Sequence, residues 1–185
     1  ISLSIDILFV NKIPFLICHG FPINHIFVYR LRNRTKMSIA RKLKTVKEKY
    51  ESRGFKINVD FGDNEFDHET IKDVLPGAIF EICGAGEHVP AVERAIRTVK
   101  DRTRCLCKSV PYSKYTKLMT VHAVITAARW INQCPSKGGT SETASPAKIV
   151  VGNDDPDTKA KRVSSGTHVI AHTGTNNNLS LIHRP

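Results

Sequence analysis

LSIDILFVNKIPFLI, residues 3–17, carries the first decisive pattern of this chain. Leu3 to Val10 is dominated by apolar and β-branched side chains, the composition of a strand. Asn11-Lys12 interrupts the run, and Ile13 to Ile17 resumes it. Two such runs around a two-residue break read as a hairpin, although Asn-Lys is not the strongest turn pair. A third run, HIFVYRL at 25–31, completes a predicted three-stranded antiparallel meander.

Downstream the period changes. Met37, Ala40, Leu43, Val46 and Tyr50 recur every three or four residues and predict a helix over 35–53, ended by Gly54. FKINVDFG at 55–62 reads as a strand leading into an acidic loop. Asp67 is a suitable N-cap for a short helix stopped by Pro76-Gly77, and AIFEICG at 78–84 is the next strand. Pro90 opens a helix over about 90–107, and the apolar stretch 116–133 predicts a second, buried helix containing Met119, Val124 and Trp130. PAKIVVG at 146–152 fits either a helical turn or a short strand, and THVIAH at 167–172 is a weak strand in a loop-rich tail. The resulting order is β-β-β-α-β-α-β-α-α. Three antiparallel strands followed by alternating strands and helices predict an α/β fold, a mixed five-stranded sheet flanked by helices, in the order of the ribonuclease-H-like fold. The predicted division is a core over 1–134 and a loop-rich extension over 135–185.

The 185 residues hold 28 Lys plus Arg and 17 Asp plus Glu, a net charge of +11. Apolar residues at 41% exclude a wholly disordered chain. No apolar run approaches the roughly 18 residues that a membrane-spanning helix needs, so no membrane partner is expected. The chain opens on Ile1 rather than Met, without a convincing signal peptide, and reads as a fragment of something longer. Five scattered cysteines with no CxxC pair suit reduced thiols in an intracellular, reducing compartment, and neither His19 nor His25 leads into a zinc-finger spacing, so no structural zinc is expected.

The net charge conceals a pattern. Residues 30–56 sum to +9, residues 57–93 to −8 and residues 94–117 to +7. A simple nucleic-acid binder has no use for the acidic centre, which repels phosphates. An enzyme acting on phosphodiesters needs acids to hold cations and bases to hold the backbone, a basic cradle around an acidic metal site.

Three carboxylates could form that site. Asp6 stands within the first predicted strand, Asp63 follows the fourth, and Glu93 lies one turn into the helix after the fifth. Each has an ordinary explanation: a solvent-facing edge residue, a turn residue in Gly-Asp-Asn, and a first-turn acid favoured by the helix dipole. Together they would repel unless a cation neutralised them, and two Mg²⁺ ions would supply phosphoryl-transfer chemistry. Glu93, Arg97, Lys100 and Arg104 share one helix face, a stripe that would carry phosphate contacts away from the proposed metal site, with a solvated basic face as the plain alternative. Lys42, Lys44 and Lys47 form a second basic surface, for which a merely solvated face is an equal alternative.

These residues resemble a known family. GDNEF at 62–66 is similar to the DNG-x-EF block of retroviral and retrotransposon integrases, without the glycine after Asn64. EHVPAVERAIRTVKDR at 87–102 resembles the corresponding Glu-bearing segment of Copia-like LTR retrotransposons. WINQCPSKGGTSETASPAKIVVGN at 130–153 resembles their W-x-N-x-x-P…SP-x-x-I-x-x-G block, and GTHVIAHTG at 166–174 the strand that follows. The resemblance implies an integrase catalytic core, a D,D,E polynucleotidyl transferase. Asp6, Asp63 and Glu93 would then be catalytic and would bind two Mg²⁺ or Mn²⁺ ions. The partners would be element-end and target DNA and further copies of the chain, in the nucleus or in virus-like particles in the cytoplasm. Two departures matter: the spacing between Asp63 and Glu93 is shorter than the retroviral pattern, and HVPAV replaces the usual Asn-Gly before the Glu. The alternatives are an inactive nucleic-acid-binding transposon remnant and, at a distance, a ribonuclease-H-type nuclease.

Overall fold

Asn11 and Lys12 both take positive φ, 49° and 63°. That two-residue turn matches the twist of its flanking strands, and β1 (Ser2–Val10) and β2 (Ile13–Phe21) pair antiparallel along their whole length, from Val10↔Ile13 to Ser2↔Phe21. β3 (His25–Arg30) adds to the other side of β2, completing the expected meander. The structure is a computed structural model and describes residues 1–57, 59–62, 66, 68–76, 79–82, 90–110, 112 and 114–152.

The remaining elements are α1 (Lys36–Glu51), β4 (Val59–Gly62), α2 (Glu69–Lys72), β5 (Ile79–Ile82), α3 (Pro90–Lys108), α4 (Lys117–Asn132) and α5 (Pro146–Val151). The fold is therefore mixed α/β: an antiparallel three-stranded sheet with helices, to which two short parallel strands add. β4 pairs parallel with β1, β5 pairs parallel with β4, and the strand order is β3-β2-β1-β4-β5. Among the described residues no helix is long and apolar enough to cross a membrane.

Strand alternation gives the sheet two buried faces. Leu3, Ile5, Leu16, Cys18 and Phe27 meet Ile39, Leu43, Val46 and Tyr50 of α1 on one face. Leu8, Phe15, Ile17 and Ile26 meet Val92, Ala95 and Val99 of α3 and Val121 and Val124 of α4 on the other. α1 starts where the Thr35 side chain accepts from the Ser38 N–H and ends in a left-handed Gly54, φ 78°. The Gly54 and Phe55 N–H groups donate to Glu51 O and Tyr50 O, at 2.9 and 3.0 Å. This paired closure is the Schellman arrangement, with Gly54 as the expected C′ residue.

Several local expectations change. β2 runs to Phe21 rather than stopping at Ile17, because Gly20 and His19, poor strand formers alone, pair with Leu3 and Ser4. The strand expected over 55–62 begins only at Val59. The short helix is capped by His68, whose Nδ1 accepts from the Thr70 N–H at 3.2 Å; the expected cap, Asp67, lies outside the described residues. Met37, counted in the α1 stripe, is 60% exposed, and Trp130 on the supposedly buried α4 is 43% exposed. In both helices the apolar surface is wider than the strip the sheet can cover. PAKIVVG resolves as helix, not strand.

The described part of the extension, to Gly152, rests on the core. The Asn24 side chain donates to Ser136 Oγ at 3.1 Å, and Val150 joins the α1 side of the core. The SP-x-x-I-x-x-G pattern acquires a structural meaning here. Ser145 caps α5 by accepting from the Lys148 N–H, Pro146 occupies the first turn, Ile149 packs on the core, and Gly152 takes φ 78°. THVIAH at 167–172 lies outside the described residues.

Candidate functional site

Asp6 is a half-buried residue of β1, the strand flanked by β2 and β4. Its antiparallel partner is Ile17, which belongs to the α3–α4 side of the core, so Asp6 stands on that face of the sheet. Its Oδ1 accepts from the Ile7 N–H at 2.6 Å, which fixes the carboxylate against its own strand. Glu93 lies in the first turn of α3 and is exposed, while its helix neighbours Val92 and Ala95 are buried against Leu8, Phe15 and Ile17. Asp6 and the α3 turn bearing Glu93 therefore occupy the same side of the sheet. Asp63 lies outside the described residues, one position beyond the end of β4. Among the described residues no three His, Cys, Asp or Glu side chains gather as a metal-holding group.

The α3 stripe is present as a surface. Arg97 and Arg104 are exposed and Lys100 is half-buried, opposite the buried Val92–Ala95–Val99 row. Arg104 Nη1 pairs with Asp101 at 2.5 Å, an exposed pair of modest strength. Lys100 and Arg104 also line a recess of about 360 Å³ with Phe9, Asn11, Tyr115 and Thr120. Asn11 donates to Thr120 Oγ1 at 3.2 Å, and Tyr115 donates to Cys107 O at 2.7 Å, so the hairpin tip, α3 and the start of α4 are fastened around it. Arg34 lies 5.5 Å from the Phe9 ring centre. Sequence reasoning missed this recess, because Phe9 and Asn11 are far from the α3 stripe along the chain.

The second basic surface is differently placed. Lys42, Lys44 and Lys47 are on α1, whose buried side covers the opposite face of the sheet. Lys42 Nζ sits 5.4 Å from the Tyr29 ring centre. Lys47 donates to Val74 O at 3.1 Å and is 3.8 Å from Glu51, leaving Lys44 the most exposed of the three. The α1 lysines and the α3 cations therefore lie on different sides of the sheet, because α1 and α3 pack on its opposite faces.

Two histidines bear on the electrostatics of the core. Burial lowers His25 to about 3, with further lowering from Lys49 and His19. Burial also lowers His19, against a hydrogen bond with Asn24 that raises it, and Arg94 lowers it further. Both shifts favour the neutral imidazole at neutral pH, His25 fully buried and His19 half-buried. Among the described residues Cys18, Cys105, Cys107 and Cys134 form no disulfide.

Compared with known proteins, the chain matches no family model and no curated protein.

Proposed function

We propose that the chain is the catalytic core of a Copia-like retrotransposon integrase, a ribonuclease-H-like polynucleotidyl transferase. It would process DNA 3′ ends and transfer them into target DNA. The observation that carries this reading is the register of the parallel pair. Ser4 of β1 stands opposite Phe61 of β4. In the sequence Asp6 follows Ser4 by two positions and Asp63 follows Phe61 by two, a matched spacing from one register pair that supports the reading. Glu93 enters from α3 on the face that holds Asp6. The strand order supports a ribonuclease-H-like sheet, and the motif resemblance around Asp63, Glu93 and Ser145–Gly152 supports the family.

Asp6, Asp63 and Glu93 would hold two Mg²⁺ or Mn²⁺ ions, and their hard carboxylate oxygens suit either cation. Bound ions would activate an attacking oxygen and stabilise the leaving one during in-line displacement. Arg97, Lys100 and Arg104 would hold DNA phosphates along α3, with the chain acting as a homo-oligomer on element-end and target DNA.

The test pairs binding with chemistry. Mn²⁺ titration followed by electron paramagnetic resonance should show weak binding that is reduced in Asp63→Asn and Glu93→Gln. Both variants should lose Mg²⁺-dependent joining of an element-end duplex to target DNA. Strand transfer that survives Glu93→Gln overturns the reading, and cleavage of RNA–DNA hybrids without DNA joining points to a nuclease instead.

A further inference from the structure

β3 is an edge strand: among the described residues β2 is its only partner. The Asn132 carboxamide accepts from the Ile26 N–H at 2.8 Å and donates to the Ile26 carbonyl at 2.7 Å. Both Ile26 groups therefore point away from β2. Facing alternates residue by residue in an antiparallel ladder, and the β2–β3 register is unbroken from Gly20↔His25 to Phe15↔Arg30. Val28 and Arg30 consequently turn their own N–H and C=O outward as well.

Val28 lies in a groove of about 640 Å³ that runs along this edge between helices of the two sheet faces. α4 contributes Ile125 and Ala128 from one side, and α5 contributes Ala147 and Val151 from the other. Asn132 stands at the Ile26 end. Among the described residues, besides His25, which is neutral, the titratable side chains lining the groove are Lys49, Arg129 and Tyr29, so the formal charges they bring are positive. The groove thus combines an outward-facing strand backbone, apolar walls and two cations.

We propose that this groove binds an extended acidic and apolar peptide segment of a partner protein as an additional strand beside β3. Main-chain hydrogen bonds to Val28 and Arg30 would supply affinity. Alternate side chains would lie against Ile125 and Val151, and carboxylates would meet Lys49 and Arg129. Charge complementarity selects this occupant over a second copy of the chain, which would bring the same Lys49, Arg129 and Arg30 against themselves. Nucleic acid satisfies the charges but has no amide groups at strand spacing.

The experiment titrates the full chain into a fluorescein-labelled Asp-Val-Thr-Val-Asp peptide and reads anisotropy. Two analogues carry a backbone N-methyl group at successive central residues, and a third replaces Asp with Lys. Saturable binding is expected for the acidic peptide. One N-methyl analogue should lose roughly tenfold in affinity and its neighbour should not, the period-two signature of strand addition. Val28→Pro, which removes an outward N–H that the β2 ladder does not use, should also lose roughly tenfold with an unchanged circular dichroism spectrum. Lys49→Glu with Arg129→Glu should shift preference to the Lys peptide. Absent saturation, equal binding of both N-methyl analogues, or equal binding of the Asp and Lys peptides overturns the proposal. So does a Val28→Pro-sensitive dimer in sedimentation, or competitive displacement of the peptide by duplex DNA. Should Val28→Pro fail to fold, the N-methyl pair on the unaltered protein decides the question.

Discussion

His25 is 4% exposed, its ring lies 4.3 Å from that of Phe27, and its Nδ1 finds no hydrogen-bond partner among the described residues. Burial, then Lys49, then His19, hold it near 3, against 6.5 for a free imidazole. The unfolded chain therefore takes up the proton first. The neutral His25 contributes stability that is fully present above pH 6.5 and is lost as pH falls toward 3. Urea melts should show that the loss between pH 7 and 4.5 shrinks by on the order of 2 kcal/mol in His25→Phe. An undiminished loss assigns the acid sensitivity elsewhere. Gly20 makes a steric prediction. A Cβ there would come within 2.0 Å of Tyr50 Oη, and Tyr50 is fully buried with little room to yield. Gly20→Ala should cost about 1–3 kcal/mol by chemical denaturation, whereas Gly20 alone looks in the sequence like a mere break in strand character. The three carboxylates could be singled out from residue type and position, but Glu93's exposure and Asp6's sheet face required the packing of α3.

At the scale of elements, the meander and the α1, α3 and α4 periodicities were readable because each rests on local pattern. β2's true length was not, since Cys18 to Phe21 is extended by pairing with the distant Ser2–Ile5 segment. Asn132 shows the same limit. Its place in W-x-N-x-x-P marks a family resemblance, yet its work is structural: it satisfies the edge strand at Ile26 through two buried bonds. Asn132→Ala leaves both backbone groups without that partner and should destabilise the chain by about 2 kcal/mol, measured by urea denaturation. A loss below a few tenths would mean that water replaces the amide there.

For the whole molecule, the arrangement of charge is the main consequence of the fold. Two basic helices cover opposite faces of one sheet, so a single duplex held along α3 does not meet α1 in the same way. Lys42 and Lys47 are, moreover, engaged by Tyr29 and by Val74 with Glu51. In a plot of log affinity for duplex DNA against log salt, Arg97→Gln and Lys100→Gln should each lower the slope by about 0.9. Lys42→Gln and Lys47→Gln should change it little. Equal effects from both helices would show that DNA wraps the sheet or that separate copies present separate faces.

The amino-acid sequence by itself determined the kinds and order of the elements from β1 to α4, because hydrophobic period, caps and turn residues act over a few neighbours. It also settled the alternation of basic and acidic blocks along the chain. Only the tertiary structure decided that Asp6 and the α3 turn bearing Glu93 share a side of the sheet, that the basic helices are separated, and that among the described residues β3 has an unpaired edge between α4 and α5. Those facts depend on strand register and on which face each helix covers, and both are set by contacts between segments far apart in the chain, whose balance no local pattern records.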